Sequence, residues 1–181
     1  MKTIKWILSL LSLFVVLVLI ASAILPSHYR LERSVEIEAP DSLIFAQIAD
    51  FHNWEHWHPW RELYPQLNGR IIGQGQHIGH RWEWDDRRAG KGYLEVQKLT
   101  PPSRMEVKLV FKSPRQNQAR FVFKIVPSGG GMKTSWVMEG GLSYPLERWL
   151  KFFLETTIGS DLEKGLTTLK HLCEAEQQML D

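Results

Sequence analysis

The chain has 181 residues, 22 of them lysine or arginine and 20 aspartate or glutamate, for a formal charge of +2. Without Lys2 and Lys5, which precede the first acidic residue Glu32, basic and acidic residues balance at 20 each, so no nucleic-acid partner is expected. The single cysteine, Cys173, excludes an intramolecular disulfide and a thiolate metal cage.

Residues 6–25 carry no charge and are interrupted only by Ser9, Ser12 and Ser22. As a helix rising about 1.5 Å per residue, this run is roughly 30 Å long, the thickness of a hydrocarbon core. It predicts a transmembrane anchor over residues 1–26, with Trp6 at one interface and Pro26 closing the other. Lys2, Lys5 and Ala21-Ser22-Ala23 also fit a signal peptide, so secretion after cleavage is the alternative. A buried soluble helix is a third reading. Basic residues flank both ends, Lys2 and Lys5 before, Arg30 and Arg33 after. Their slight bias predicts a cytoplasmic N-terminus, with residues 27–181 forming one domain outside, periplasmic or extracellular.

Residues 29–38 alternate, with Leu31, Val35 and Ile37 on one face and Glu32, Glu36 and Glu38 on the other, as in a half-buried strand. Ala39-Pro40 stops it and Asp41 offers an N-cap to a short helix that presents Leu43, Ile44, Ile48 and Phe51. From about residue 70 the period is two. Ile78, His80, Trp82 and Trp84 share a face, and Asp85–Gly90 is a turn. Leu94 and Val96 mark the next strand, then Met105–Phe111, Phe121–Ile125 and Thr134–Met138, separated by turns at Pro101-Pro102-Ser103 and Ser128–Gly131. Such a series predicts an antiparallel meander with one covered face. Helical period returns at Pro145: Leu146, Trp149, Leu150, Phe153 and Leu154 form an apolar stripe expected to cap the sheet, with lipid contact as the lesser alternative. Gly159 is expected to interrupt this helix, and Ser160-Asp161-Leu162-Glu163 to open another that buries Leu162, Leu166, Leu169 and Cys173. The fold class is α+β: a curved antiparallel sheet of six to seven strands around a long C-terminal helix.

Three stretches carry a family likeness. They are Arg33–Pro40, Asp50-Phe-His-Asn-Trp-Glu-His-Trp-His-Pro-Trp60, and Ile158–Lys170. Together they resemble the helix-grip fold of the START-like (SRPBCC) superfamily, in its polyketide cyclase/dehydrase-like branch. The resemblance spans residues 28–175 and implies a cavity between sheet and helix. It specifies chemistry poorly, because the superfamily includes lipid carriers, hormone-binding proteins and cyclases.

Eight tryptophans, six of them between Trp54 and Trp136, suggest a wide aromatic interior. The expected cavity lining is Trp82, Trp84, Leu109, Phe111, Phe121, Phe123, Trp136 and Met138, with Trp54, Trp57 and Trp60 forming a wall or plugging the mouth of the sheet. The expected partner is a hydrophobic small molecule or lipid. No cofactor is expected, since Gly73-Gln-Gly75-Gln-His-Ile-Gly79 leads into a strand, which is wrong for a dinucleotide loop. Nor is a metal expected, because Pro59 breaks the turn carrying His52, His56 and His58. The alternatives are a cyclase or dehydratase using His80 or Glu139 as acid/base, for which Glu83 and His77 are also eligible, and a non-catalytic interaction domain.

Overall fold

The computed structural model describes residues 2–67 and 69–180. It begins with α1 (Lys2–Ile24), apolar and exposed along almost all its length, followed by β1 (His28–Ile37) and α2 (Asp41–Ala49). A 3₁₀ turn (Asn53–His56) and α3 (Trp60–Leu63) precede six strands. These are β2 (Gly69–Ile72), β3 (Arg81–Asp86), β4 (Gly90–Thr100), β5 (Arg104–Ser113), β6 (Asn117–Ser128) and β7 (Gly131–Gly141). The chain ends in α4 (Glu147–Leu180).

The seven strands form one antiparallel sheet in the order β1-β7-β6-β5-β4-β3-β2. Register fixes which residues share a face, because successive side chains alternate. Leu31 pairs with Met138 and Met138 with Phe121; Phe123 pairs with Trp136, Val107 with Phe121, and Leu94 with both Leu109 and Trp82. This face is the core, most of it fully buried. The next row carries Arg30, Glu139, Arg120, Lys108, Glu95 and Arg81 across six strands on the other face. A row of mixed charge there suits a surface in water.

The second half of α4 covers the core face, burying Gly159, Leu162, Gly165, Leu166, Leu169 and Cys173. Three expectations change here. The helix runs unbroken through Gly159, so Ser160–Glu163 caps nothing. Gly159 serves packing: a Cβ there would lie 2.5 Å from the Arg33 guanidinium, which passes over it to Glu155 at 2.7 Å. The stripe of Leu146, Trp149, Leu150 and Phe153 does not cap the sheet; all four are exposed. At about 100° per residue, an unbroken helix carries that stripe roughly 180° from the face of Leu162, Leu166 and Leu169. Leu154, on the other flank, does pack against the core. Finally, Pro40 takes the N-cap position of α2, and Asp41 is its first residue.

Candidate ligand-binding cavity

The segment between α2 and β2 is held by the carbonyls that end α2. A helix leaves its last four C=O groups without intrahelical partners. Here Asn53 Nδ2 donates to Ala46 O (3.1 Å), Trp57 Nε1 to Gln47 O (3.2 Å), Trp54 Nε1 to Ile48 O (2.7 Å) and the Gln76 N–H to Ala49 O (2.8 Å). The Asn-Trp-x-x-Trp spacing is therefore a helix cap. It also delivers two indoles to the core, where Trp54 and Trp57 pack at 5.2 Å and meet Phe123 and Trp136 edge to face. Pro59 then turns the chain, and Trp60 packs instead on Trp82, Trp84 and Phe111.

Where these groups diverge lies a cavity of about 390 Å³ under α4. Seven expected residues line it: Trp60, Trp84, Leu109, Phe111, Phe121, Trp136 and Met138. Trp54 and Trp82 line a neighbouring hollow of about 250 Å³, which His58, Trp60 and Tyr64 share with the first. Trp57 borders a small hollow beside Lys164 and Gly165, and Phe123 is buried among the indoles. A groove of about 680 Å³ on the outer face of the sheet is lined by Arg30, Glu106, Arg120 and Glu139, whose charges pair with one another.

The last helix, the expected lid, supplies Thr157, Ile158, Asp161 and Leu162, while His58, Pro59, Leu63, Tyr64 and Ala89 complete the walls without being expected there. Ile158 could have been found by its helical spacing from Leu162. The loop residues carry no periodic signal.

His58 is the buried polar group of this cavity. Its ring stacks on Trp54 at 4.6 Å and 9°, and its Nδ1 accepts the Trp60 N–H at 3.3 Å. Burial pushes its pKa down to about 3, so the ring is neutral and its proton is on Nε2. That Nε2, like Trp136 Nε1, is buried without a hydrogen-bond partner among the described residues. Asp161 has its carboxyl pushed up by burial and by Glu62, against the lowering effect of Lys164.

Neither acid/base candidate reaches the cavity. Glu139 is on the opposite face of the sheet, paired with Arg30 and Arg120, whose charge holds its carboxyl below the usual range. His80 precedes β3 and is buried under residues 50–52, stacked on Phe51 at 4.7 Å, with Nε2 accepting the Phe51 N–H at 3.0 Å. The expected face-sharing with Ile78 fails, because Ile78 is exposed in the loop before β3. Asp50, His52 and His80 bring three ligand-type atoms within 4.8 Å of one another. In this arrangement His80 Nε2 accepts the Phe51 N–H, and Asp50 Oδ1 accepts the His52 N–H (3.0 Å) and lies 2.8 Å from the His52 ring Nδ1. Of the histidine trio, His58 turns inward while His52 and His56 are exposed.

A family model described as polyketide cyclase / dehydrase and lipid transport matches residues 28–174. No curated protein sequence matches the chain significantly. Among solved structures, a protein from Rhizobium leguminosarum is similar at 13% identity and a TM-score of 0.61, over 82% of this chain and 95% of that one. Protein CV1439 from Chromobacterium violaceum is 18% identical, with a TM-score of 0.56 over 82% and 99%. The di-domain ARO/CYC StfQ from the steffimycin biosynthetic pathway gives a TM-score of 0.63 at 10% identity, covering 83% of this chain and 52% of that one. At such identities the likeness establishes the shared fold.

Proposed function

The chain belongs to the polyketide cyclase/dehydrase and lipid transport family, and from that premise we propose that it is a membrane-tethered binding domain for an uncharged hydrophobic molecule. The carrying observation is the cavity of about 390 Å³ walled by Trp60, Trp84, Phe111, Phe121 and Trp136. Pockets of this size, mostly apolar with a few polar groups, suit small-molecule ligands. His58 is neutral, and the one carboxyl in the wall, Asp161, disfavours an anion. Among the described residues His58 Nε2 and Trp136 Nε1 are buried donors without a partner in side chains that border the cavity, and a ligand oxygen that reached either would relieve an unmet donor worth about 1–3 kcal/mol. Tethering rests on α1, whose residues 3–24 contain an 18-residue window of mean hydropathy 2.9 that is almost entirely uncovered by the rest of the described chain.

The test is native mass spectrometry of the full chain in detergent, with an organic extract of the same sample. The reading expects a co-purified apolar compound that is lost in Ala89→Trp, which fills the cavity from a turn at its wall. An extract identical for both proteins would overturn it.

A further inference from the structure

The first turns of α4 meet the end of α1. Arg148 Nη1 donates to the carbonyls of Ser22 (2.9 Å), Ala23 (3.1 Å) and Leu25 (3.2 Å). A guanidinium at a helix C-terminus satisfies carbonyls that have no intrahelical partner and complements the helix dipole. Trp149 Nε1 donates to Ser22 Oγ at 2.7 Å, and Ser22 in turn donates to Val18 O at 2.7 Å. Tyr144 Oη donates to Leu19 O at 3.2 Å, more than a turn back inside the apolar run. The start of α4 is thus fastened at the level where α1 would leave a bilayer, with a Tyr and a Trp at the depth such residues prefer.

Beside this junction stand Leu146, Leu150, Phe152 and Phe153, with Phe152 61% and Phe153 69% exposed. Among the described residues only Trp149 makes a ring contact with this group, to Phe152 at 6.3 Å. Glu147, Arg148, Lys151 and Glu155 occupy the other side of the helix. This is the make-up of a helix that lies in a membrane interface. The stripe also leads to the cavity. Phe153 and Thr157 are i, i+4 neighbours, as are Leu154 and Ile158, and Thr157 and Ile158 line the cavity wall.

We propose that residues 146–153 are seated in the bilayer interface and form the portal through which an apolar ligand passes between membrane and cavity. The occupant is phospholipid, held opposite the stripe by the same anchor that fixes α1. This rests on the binding reading above, and two measurements separate their fates.

In the first, Phe153→Cys in the full chain is labelled with an environment-sensitive fluorophore and reconstituted in phosphatidylcholine vesicles. Cys173 is fully buried, with its thiol pushed up to about 12, so the label goes to the introduced cysteine. A lipid nitroxide at the top of the acyl chain should quench this label strongly, and a label at exposed Glu163→Cys weakly. Equal quenching by aqueous iodide at both positions would overturn the membrane seat. In the second, uptake of aminoanthracene is measured for wild type and for Phe152→Glu/Phe153→Glu. The portal requires uptake from vesicles to slow about tenfold or more, with unchanged affinity when the probe is supplied in micelles. Equal slowing in both formats, or in neither, would sink the portal. If wild type takes up no probe in either format, the cavity reading falls and the portal with it, while the quenching result still decides the membrane seat.

Discussion

His58 makes acid stability a direct readout of the aromatic interior. Its ring is fully enclosed between Trp54, Trp57, Trp60 and Trp136, and burial lowers its pKa from an ordinary 6.5 to about 3. In the unfolded chain the same ring takes up a proton near pH 6.5. Between these values the unfolded state binds one proton more, so stability is full above 6.5 and falls as pH drops toward 3. Each pH unit within the window is worth about 1.4 kcal/mol, and the change from pH 7.5 to 5.5, half of it above the unfolded pKa, costs about 1.4 kcal/mol in all. Urea unfolding of the micelle-embedded chain, followed by tryptophan fluorescence, gives that difference at each pH. His58→Phe keeps the stack on Trp54 but leaves the Trp60 N–H without its acceptor. It should lower stability at pH 7.5 and show a pH dependence shallower than wild type by about 1.4 kcal/mol over the interval. His80, also lowered by burial, shifts both proteins equally and cancels in the comparison. Identical pH slopes would mean that His58 titrates in the folded state, and its enclosure would be refuted.

The remaining predictions concern stability and the acid/base pair that lies outside the cavity lining. His80→Ala should lose about 2–4 kcal/mol in the same unfolding assay, because the Phe51 N–H loses its acceptor and a cavity opens. The surviving folded fraction should bind aminoanthracene with wild-type affinity, as should Glu139→Gln on the outer face; a large loss of affinity in either would place that residue at the site. Gly165→Ala should cost about 1–3 kcal/mol, since its Cβ would lie 2.9 Å from both Pro59 and the Trp136 ring. Gly159→Ala should be neutral or stabilise by up to about 1 kcal/mol, because only the flexible Arg33 side chain must move. Thermal unfolding of the two variants side by side checks the contrast, and equal costs would contradict it.

The sheet was legible because its strands state their register locally. In Met105–Phe111, Phe121–Ile125 and Trp136–Met138 the alternation of apolar and polar residues already says which side is core. By the same rule Glu139, next to inward Met138, had to point outward, so its exclusion from the cavity was readable. His80 was not. Its position follows from a loop in which Gln76 adopts φ 60 and reaches Ala49, a contact between distant segments that no period reports. The walls from Tyr64 and Ala89 are hidden for the same reason. The tryptophan cluster was legible as a motif but not in its division of labour. That division comes from Pro59, which sends Trp60 to the cavity while Trp54 and Trp57 cap α2.

The phase of α4 was also written in the sequence. Leu146, Leu150 and Phe153 lie half a turn from the row of Leu162, Leu166 and Leu169 unless the helix breaks between them. A break at Gly159 would have let both rows face the sheet; an unbroken helix cannot bury both. The helix does not break because one glycine costs a helix interior only roughly 1 kcal/mol, and the same helix buries Leu162, Leu166 and Leu169 just beyond it. An apolar row so displaced would be a liability in water over several turns. It stands instead beside the end of α1, where Arg148, Trp149 and Tyr144 hold it. On the proposed seating the unbroken helix serves two surroundings, the aromatic core along its second half and the membrane interface along its first. The cavity wall at Thr157 and Ile158 falls where one gives way to the other.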